Sequence, residues 1–158
     1  MSHRISIRRV AVSALLAGVL LAALVPSMAG AATPRAGYYN GTTAQTAQGL
    51  DSSVGFKVFK YGSFNGTVRK VLSVSTKLQL TCASGEVKED RYLVYIITGG
   101  QINKYGKFKW SGNGFSIRGR FTTRTSAKGT LSRTVGDCKA EGVTWTAKRS
   151  TGGLPIPS

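Results

Sequence analysis

"NKYGKFKWSGNGFSIRGRFTTRT", residues 103–125, holds six Lys or Arg and five aromatic rings, and no carboxylate. Cations interleaved with rings suit a nucleic-acid surface if the rings are exposed so that bases can stack on them. The same letters suit a hairpin if the rings turn inward. Side chains alternate faces along a strand, so phase separates the two readings. In "KFKW" (107–110), Phe108 and Trp110 alternate with Lys107 and Lys109. In "FSIRGRF" (115–121), Phe115, Ile117, Gly119 and Phe121 alternate with Ser116, Arg118 and Arg120. The pattern predicts a hairpin with rings in the core and a basic outer face. Tyr105 is the ring whose phase the pattern leaves open.

The same period of two runs outward from this hairpin. "SVGFKVFK" puts Val54, Phe56 and Val58 on one face. "KVLSVSTKLQLTC" offers Leu72 and Val74, then Leu78, Leu80 and Cys82. "RYLVYIIT" is rich in β-branched and aromatic residues, and "GVTWTAK" alternates Val143, Trp145 and Ala147 with threonines. Between these runs, "YGSFNG", "ASGE", "TGGQ", "SGNG", "SAKG" and "GDCKAEG" are dense in turn formers. No stretch after the leader shows helical periodicity. The expected class is all-β: a single antiparallel β-sandwich or small β-barrel with one disulfide, following an N-terminal signal peptide.

The chain opens with Arg4, Arg8 and Arg9, continues with the apolar run "AVSALLAGVLLAALV", and ends that run in Pro26 and the small residues "SMAGAAT". A basic start, an apolar middle and a small-residue end form the layout of a secretory signal peptide. Cleavage is expected after Ala31 or Ala32. The competing reading is an uncleaved anchor, since Val10 to Ala29 is nearly long enough to span a bilayer. Arg8-Arg9 raises twin-arginine export, and no Cys follows the run to suggest a lipoprotein. The expected organisation is a signal peptide at 1–31, a polar N-terminal segment at 32–50, a β domain at 51–149 and a flexible tail at 150–158. Tyr38 and Tyr39 are expected to pin the polar segment to the domain. The localisation expected is secreted, extracellular.

Cys82 and Cys138 are the only cysteines. In an oxidising compartment they predict a disulfide, with two free thiols as the alternative. The leader takes with it three of the 22 basic residues, none of the six acids and the only histidine, His3, so the remainder carries a formal +13. Without His there is no Ser-His-Asp arrangement and no His metal ligand, and paired cysteines supply no nucleophile. Glu86, Glu89 and Asp90 fall in one polar stretch, "SGEVKEDR", beside Lys88 and Arg91. Mutually compensated charges in a turn are the plainer reading there than an acid/base pair or a calcium site. "NGT" at 40–42 and 65–67 matches a glycosylation acceptor, although Asn65-Gly66 reads better as a tight turn. No catalytic, cofactor-binding or metal-binding residue is assigned, and no cofactor is expected.

"GYYNGTTAQ", "VGFKV", the first cysteine, "FSIRGRF", "AKGTL", Cys138 and "GVTWTAKR" occur in this order. Together they resemble a group of small secreted proteins of high-GC Gram-positive bacteria. The resemblance covers about residues 38–148. It implies one secreted β domain and brings no catalytic residue or activity with it. Gly119, Arg120 and Phe121 match its most distinctive piece, which leaves Arg120 open as a structural or a ligand-facing residue.

Nine basic residues and no acid lie between Arg91 and Arg133. Either the charge only solvates the surface, or it holds a polyanion. The functional expectation is a non-catalytic secreted domain that binds anionic polymers at the cell surface through Lys107, Lys109, Arg118, Arg120 and Arg124. Expected partners are anionic cell-wall polymers or acidic polysaccharide, with nucleic acid bound only nonspecifically and no membrane span after signal removal. The alternatives are a carbohydrate-active enzyme using a carboxylate pair, and a secreted inhibitor or protein-binding module.

Overall fold

The structure is a computed structural model. It describes residues 32–155, apart from 48, 51, 64 and 65 and the side chains of 47 and 63. The expected signal peptide at 1–31 and the last three residues of the tail lie outside the described residues.

Eight strands and one helical turn follow each other along the chain. They are β1 (Gly37–Thr43), α1 (Ala44–Ala47), β2 (Ser53–Ser63), β3 (Gly66–Thr81), β4 (Val87–Tyr95), β5 (Lys107–Gly112), β6 (Phe115–Phe121), β7 (Ser126–Val135) and β8 (Cys138–Ser150). The sheet is antiparallel with the order β4-β3-β2-β1-β8-β7-β6-β5. Thr81 also pairs with Lys139, which joins β3 to β8. The result is a small closed barrel with extra strands. The Cys82–Cys138 disulfide sits directly beside that closing pair. Among the described residues no helix is long and apolar enough to cross a membrane.

The core is aromatic at its centre. Phe56 stacks on Tyr39 at 5.1 Å between ring centroids and meets Phe108, Phe121 and Trp145 at 5.6, 6.2 and 5.6 Å. Burying each such ring contributes roughly 1.5–3 kcal/mol, so this cluster is a main apolar contributor to stability. The alternation read from "SVGFKVFK" holds: Val54, Phe56 and Val58 are all buried. In β3 it shifts by one residue. Lys57 pairs with Ser73 and Val58 with Val71, so Leu72 is the extra residue of a bulge. A bulge reverses the phase, and Val71 takes the core position that the sequence pattern gave to Leu72.

Two strands escape a reading by apolar alternation. β1 lies inside the polar segment and yet occupies the middle of the sheet, between β2 and β8. Its buried residues are Tyr39 and Thr43, and the Thr43 hydroxyl is satisfied by Ser52 Oγ at 2.7 Å. β7 begins in "SAKG", a stretch that reads as a turn. Its buried side chains there are small because rings fill the space above them. A Cβ at Gly129 would lie 2.7 Å from Trp145 Cζ2 and against the backbone oxygen of Arg118. "GDCKAEG" likewise contributes only Gly136 and Asp137 to a turn, and Cys138 already opens β8. The "SGNG" turn reading holds: Asn113 and Gly114, with φ of 52° and 67°, make the two-residue β5–β6 hairpin loop that favours Asn-Gly.

Ser150 is the last residue of β8, and the chain beyond it crosses the outside of β1, β2 and β3. Asn40 Nδ2 donates to the Gly153 carbonyl at 3.0 Å, and Ser75 Oγ donates to the Pro155 carbonyl at 2.8 Å. Asn40, Gly55 and Ser75 are register neighbours, so the tail follows one row across three strands.

Candidate functional site

The hairpin of β5 and β6 separates its rings from its cations. Phe108, Phe115, Ile117 and Phe121 are 2–4% exposed. Trp110 is half-buried against the core, 6.2 Å from the Phe115 ring. Lys107, Lys109, Arg118 and Arg120 are exposed on the opposite face. Tyr105 is the ring left outside, at 57% exposure, with Lys104 Nζ 5.0 Å from its centroid.

Register then brings the cations together. Lys107 is directly opposite Arg120, and Lys109 is opposite Arg118. On the next strand Arg120 is opposite Lys128. Like charges directly opposed across strands are destabilising, so the sheet keeps three unfavourable pairs here. These five side chains line one open concavity of about 1060 Å³ on the outer face of β5–β8. The backbone row Phe108, Gly119, Gly129 and Trp145, contiguous through the register, runs between the two outward rows and belongs to the same lining. No carboxylate contributes to the lining.

Four of the five described carboxylates, all but Asp137, are paired with other cations. Glu86 bridges to Lys88, Glu89 to Lys77 and Arg91, Asp90 to Arg133, and Glu141 to Lys139. The hydrogen bond from Arg91, reinforced by Lys77, holds the Glu89 carboxyl below the usual range. Glu89 and Asp90 are consecutive in β4 and therefore point to opposite faces. The three acids of "SGEVKEDR" thus each hold cations of their own and share none. Arg133 anchors the far side: Nε is 2.9 Å from Asp90 Oδ2, Nη1 donates to the Asn113 carbonyl at 2.8 Å, and the guanidinium lies 3.8 Å from the Tyr92 ring centroid. The single cluster of possible metal-ligating groups among the described residues is Cys82, Asp137 and Cys138, and both thiols are in the disulfide.

Of the five cations expected to bind polyanions, four line the concavity. Arg124 does not: it lies in the β6–β7 turn, where its carbonyl accepts from the Tyr39 hydroxyl at 3.0 Å. Lys128 belongs to the group and was hidden within a stretch read as a turn. The signal for it was present, since Lys128 alternates with Ala127 and Gly129 as a strand residue would. On β7, β8 and β1 the outward lining continues as Thr130, Thr144, Thr146 and Thr42. Away from this face, Leu93, Tyr95 and Ile97 are 44%, 67% and 83% exposed along and just past β4.

The chain matches no family model, and no curated protein or solved structure matches it.

Proposed function

We propose that this is an exported, non-catalytic β domain that holds anionic polymers through the outer face of β5–β7. The observation that carries the reading is the cluster of five cations in a concavity without a carboxylate. Three directly opposed like-charge pairs cost stability, and an anion laid over them reverses the sign of that cost. The chain is expected to leave the cell by its leader, so N-terminal sequencing of the protein from the medium should begin at Ala32 or Thr33.

The test is elution from a sulfated-polymer column across a salt series. Displacing counterions from a flexible polyanion gives a log–log slope of about 0.7 per neutralised charge. Five contacts then give a slope near −3.5 and roughly a hundredfold loss of affinity between 50 and 200 mM salt. Retention that does not change with salt overturns the proposal. A second reading, a protein-binding module, has the exposed Leu93, Tyr95 and Ile97 in its favour. It requires that Tyr95→Ser and Ile97→Ser abolish capture of a defined partner from the medium without altering salt elution.

A further inference from the structure

The concavity is not uniform. Two rows of outward side chains cross it perpendicular to the strands. One runs Lys107, Arg120, Lys128, Thr146, Thr42, and the other runs Lys109, Arg118, Thr130, Thr144, each residue paired in register with the next. Both rows change character part-way, from ammonium and guanidinium groups to hydroxyls. The longer row spans four interstrand spacings, about 19 Å. None of these cations pairs with a described carboxylate, and none of the four threonine hydroxyls bonds to another described residue. The rings in the lining, Phe108 and Trp145, are 4% and 2% exposed and turned to the core.

A ligand matched to this surface carries anions at one end of its footprint and hydroxyls at the other, and needs no stacking partner. Bases lack a ring here to stack on, whereas a glycan offers hydroxyls that donate to and accept from threonine. We propose that the concavity takes a hydroxyl-rich anionic polysaccharide laid across the strands, its anionic groups on β5–β7 and its hydroxyls on Thr130, Thr144, Thr146 and Thr42. This rests on the basic-face reading above and adds the ligand class and its orientation.

Three probes matched in charge separate the possibilities: dextran sulfate, linear polyphosphate, which has charge without sugar hydroxyls, and oligodeoxythymidylate, which adds bases. Binding is measured by calorimetry on the purified protein at fixed salt. The expected order puts dextran sulfate roughly tenfold tighter than polyphosphate. Thr144→Val with Thr146→Val removes two hydroxyls, keeps β-branched side chains, and should weaken dextran sulfate about tenfold while leaving polyphosphate unchanged. Arg120→Gln should weaken all three probes. Thermal melts of each variant establish that it is folded. Equal affinity for dextran sulfate and polyphosphate, with no effect of the double valine variant, overturns the inference. The basic-face reading then survives if Arg120→Gln still weakens binding and falls with it if Arg120→Gln does not. Tightest binding of oligodeoxythymidylate overturns the inference in favour of nucleic acid.

Discussion

Replacing Arg120 by Thr should make the protein more stable and a poorer binder of polyanions. Arg120 is flanked by Lys107 on β5 and Lys128 on β7, both directly opposite in the register. Each opposed like-charge pair costs roughly 0.2–1 kcal/mol, so removing two returns about 1 kcal/mol at low ionic strength. For a domain of this size that is a rise in Tm of about 3–6 °C. Threonine also suits a strand better than arginine, but that gain does not depend on salt. The diagnostic quantity is therefore the salt-dependent part. Melting curves of wild type and Arg120→Thr are compared at about 0.01 M and about 1 M salt, where the screening length falls from roughly 30 to 3 Å. The difference in Tm should shrink by most of its low-salt value. Arg124→Thr, a turn position outside the concavity, serves as the control and should show no salt-dependent gain. On the sulfated-polymer column Arg120→Thr should elute at lower salt, with the slope reduced by about 0.7. An advantage of equal size at both ionic strengths would refute the claim that these cations repel one another in the folded state.

Gly129→Ala places a Cβ against the Arg118 carbonyl oxygen and the Trp145 ring. Backbone cannot rotate away, so urea denaturation should show a loss of about 3 kcal/mol or more. Reducing the disulfide, or Cys82→Ser with Cys138→Ser, frees a sequence separation of 56 residues and should cost about 4 kcal/mol on the chain-entropy account. A loss under 1 kcal/mol in equilibrium unfolding would show that the unfolded chain is already constrained. Tyr39 sets a dependence on alkaline pH. Burial pushes its phenol up, partly offset by the nearby charge of Arg149. The folded state therefore holds this proton more tightly than the unfolded state. Stability from this group is intact below about pH 10 and is lost as pH rises through the folded value. Tyr39→Phe should be less stable at pH 8, since its hydroxyl bonds to the carbonyls of Arg35 and Arg124, and should show a shallower loss above pH 10. An unchanged alkaline slope in urea midpoints would remove Tyr39 as its source.

Legibility in the sequence followed the size of the buried side chains. β2, β5 and β6 carry large apolar residues in one phase, and their faces were readable. β1 and the start of β7 bury Tyr39, Thr43, Ala127 and Leu131 among glycines, which resembles polar loop and turn sequence until the rings of neighbouring strands are placed over them. The candidate site divides the same way. Lys107, Lys109, Arg118 and Arg120 came from alternation, whereas Lys128 needed β7 to be recognised and the threonines needed the sheet order. The expected tail at 150–158 could not reveal its contacts with Asn40 and Ser75, because those partners lie more than seventy residues away.

The sequence alone determined the all-β class, the single pair of cysteines and the opposition of rings to cations. Each is a property of composition or of local period, and a pleated strand enforces that period without help from its neighbours. The tertiary structure decided which like charges face each other, that β3 meets β8, and that cations and hydroxyls share one concavity. Those depend on register and strand order. They are set by how the Phe56, Phe108, Phe121 and Trp145 rings fit together, and no local stretch of sequence contains that fit.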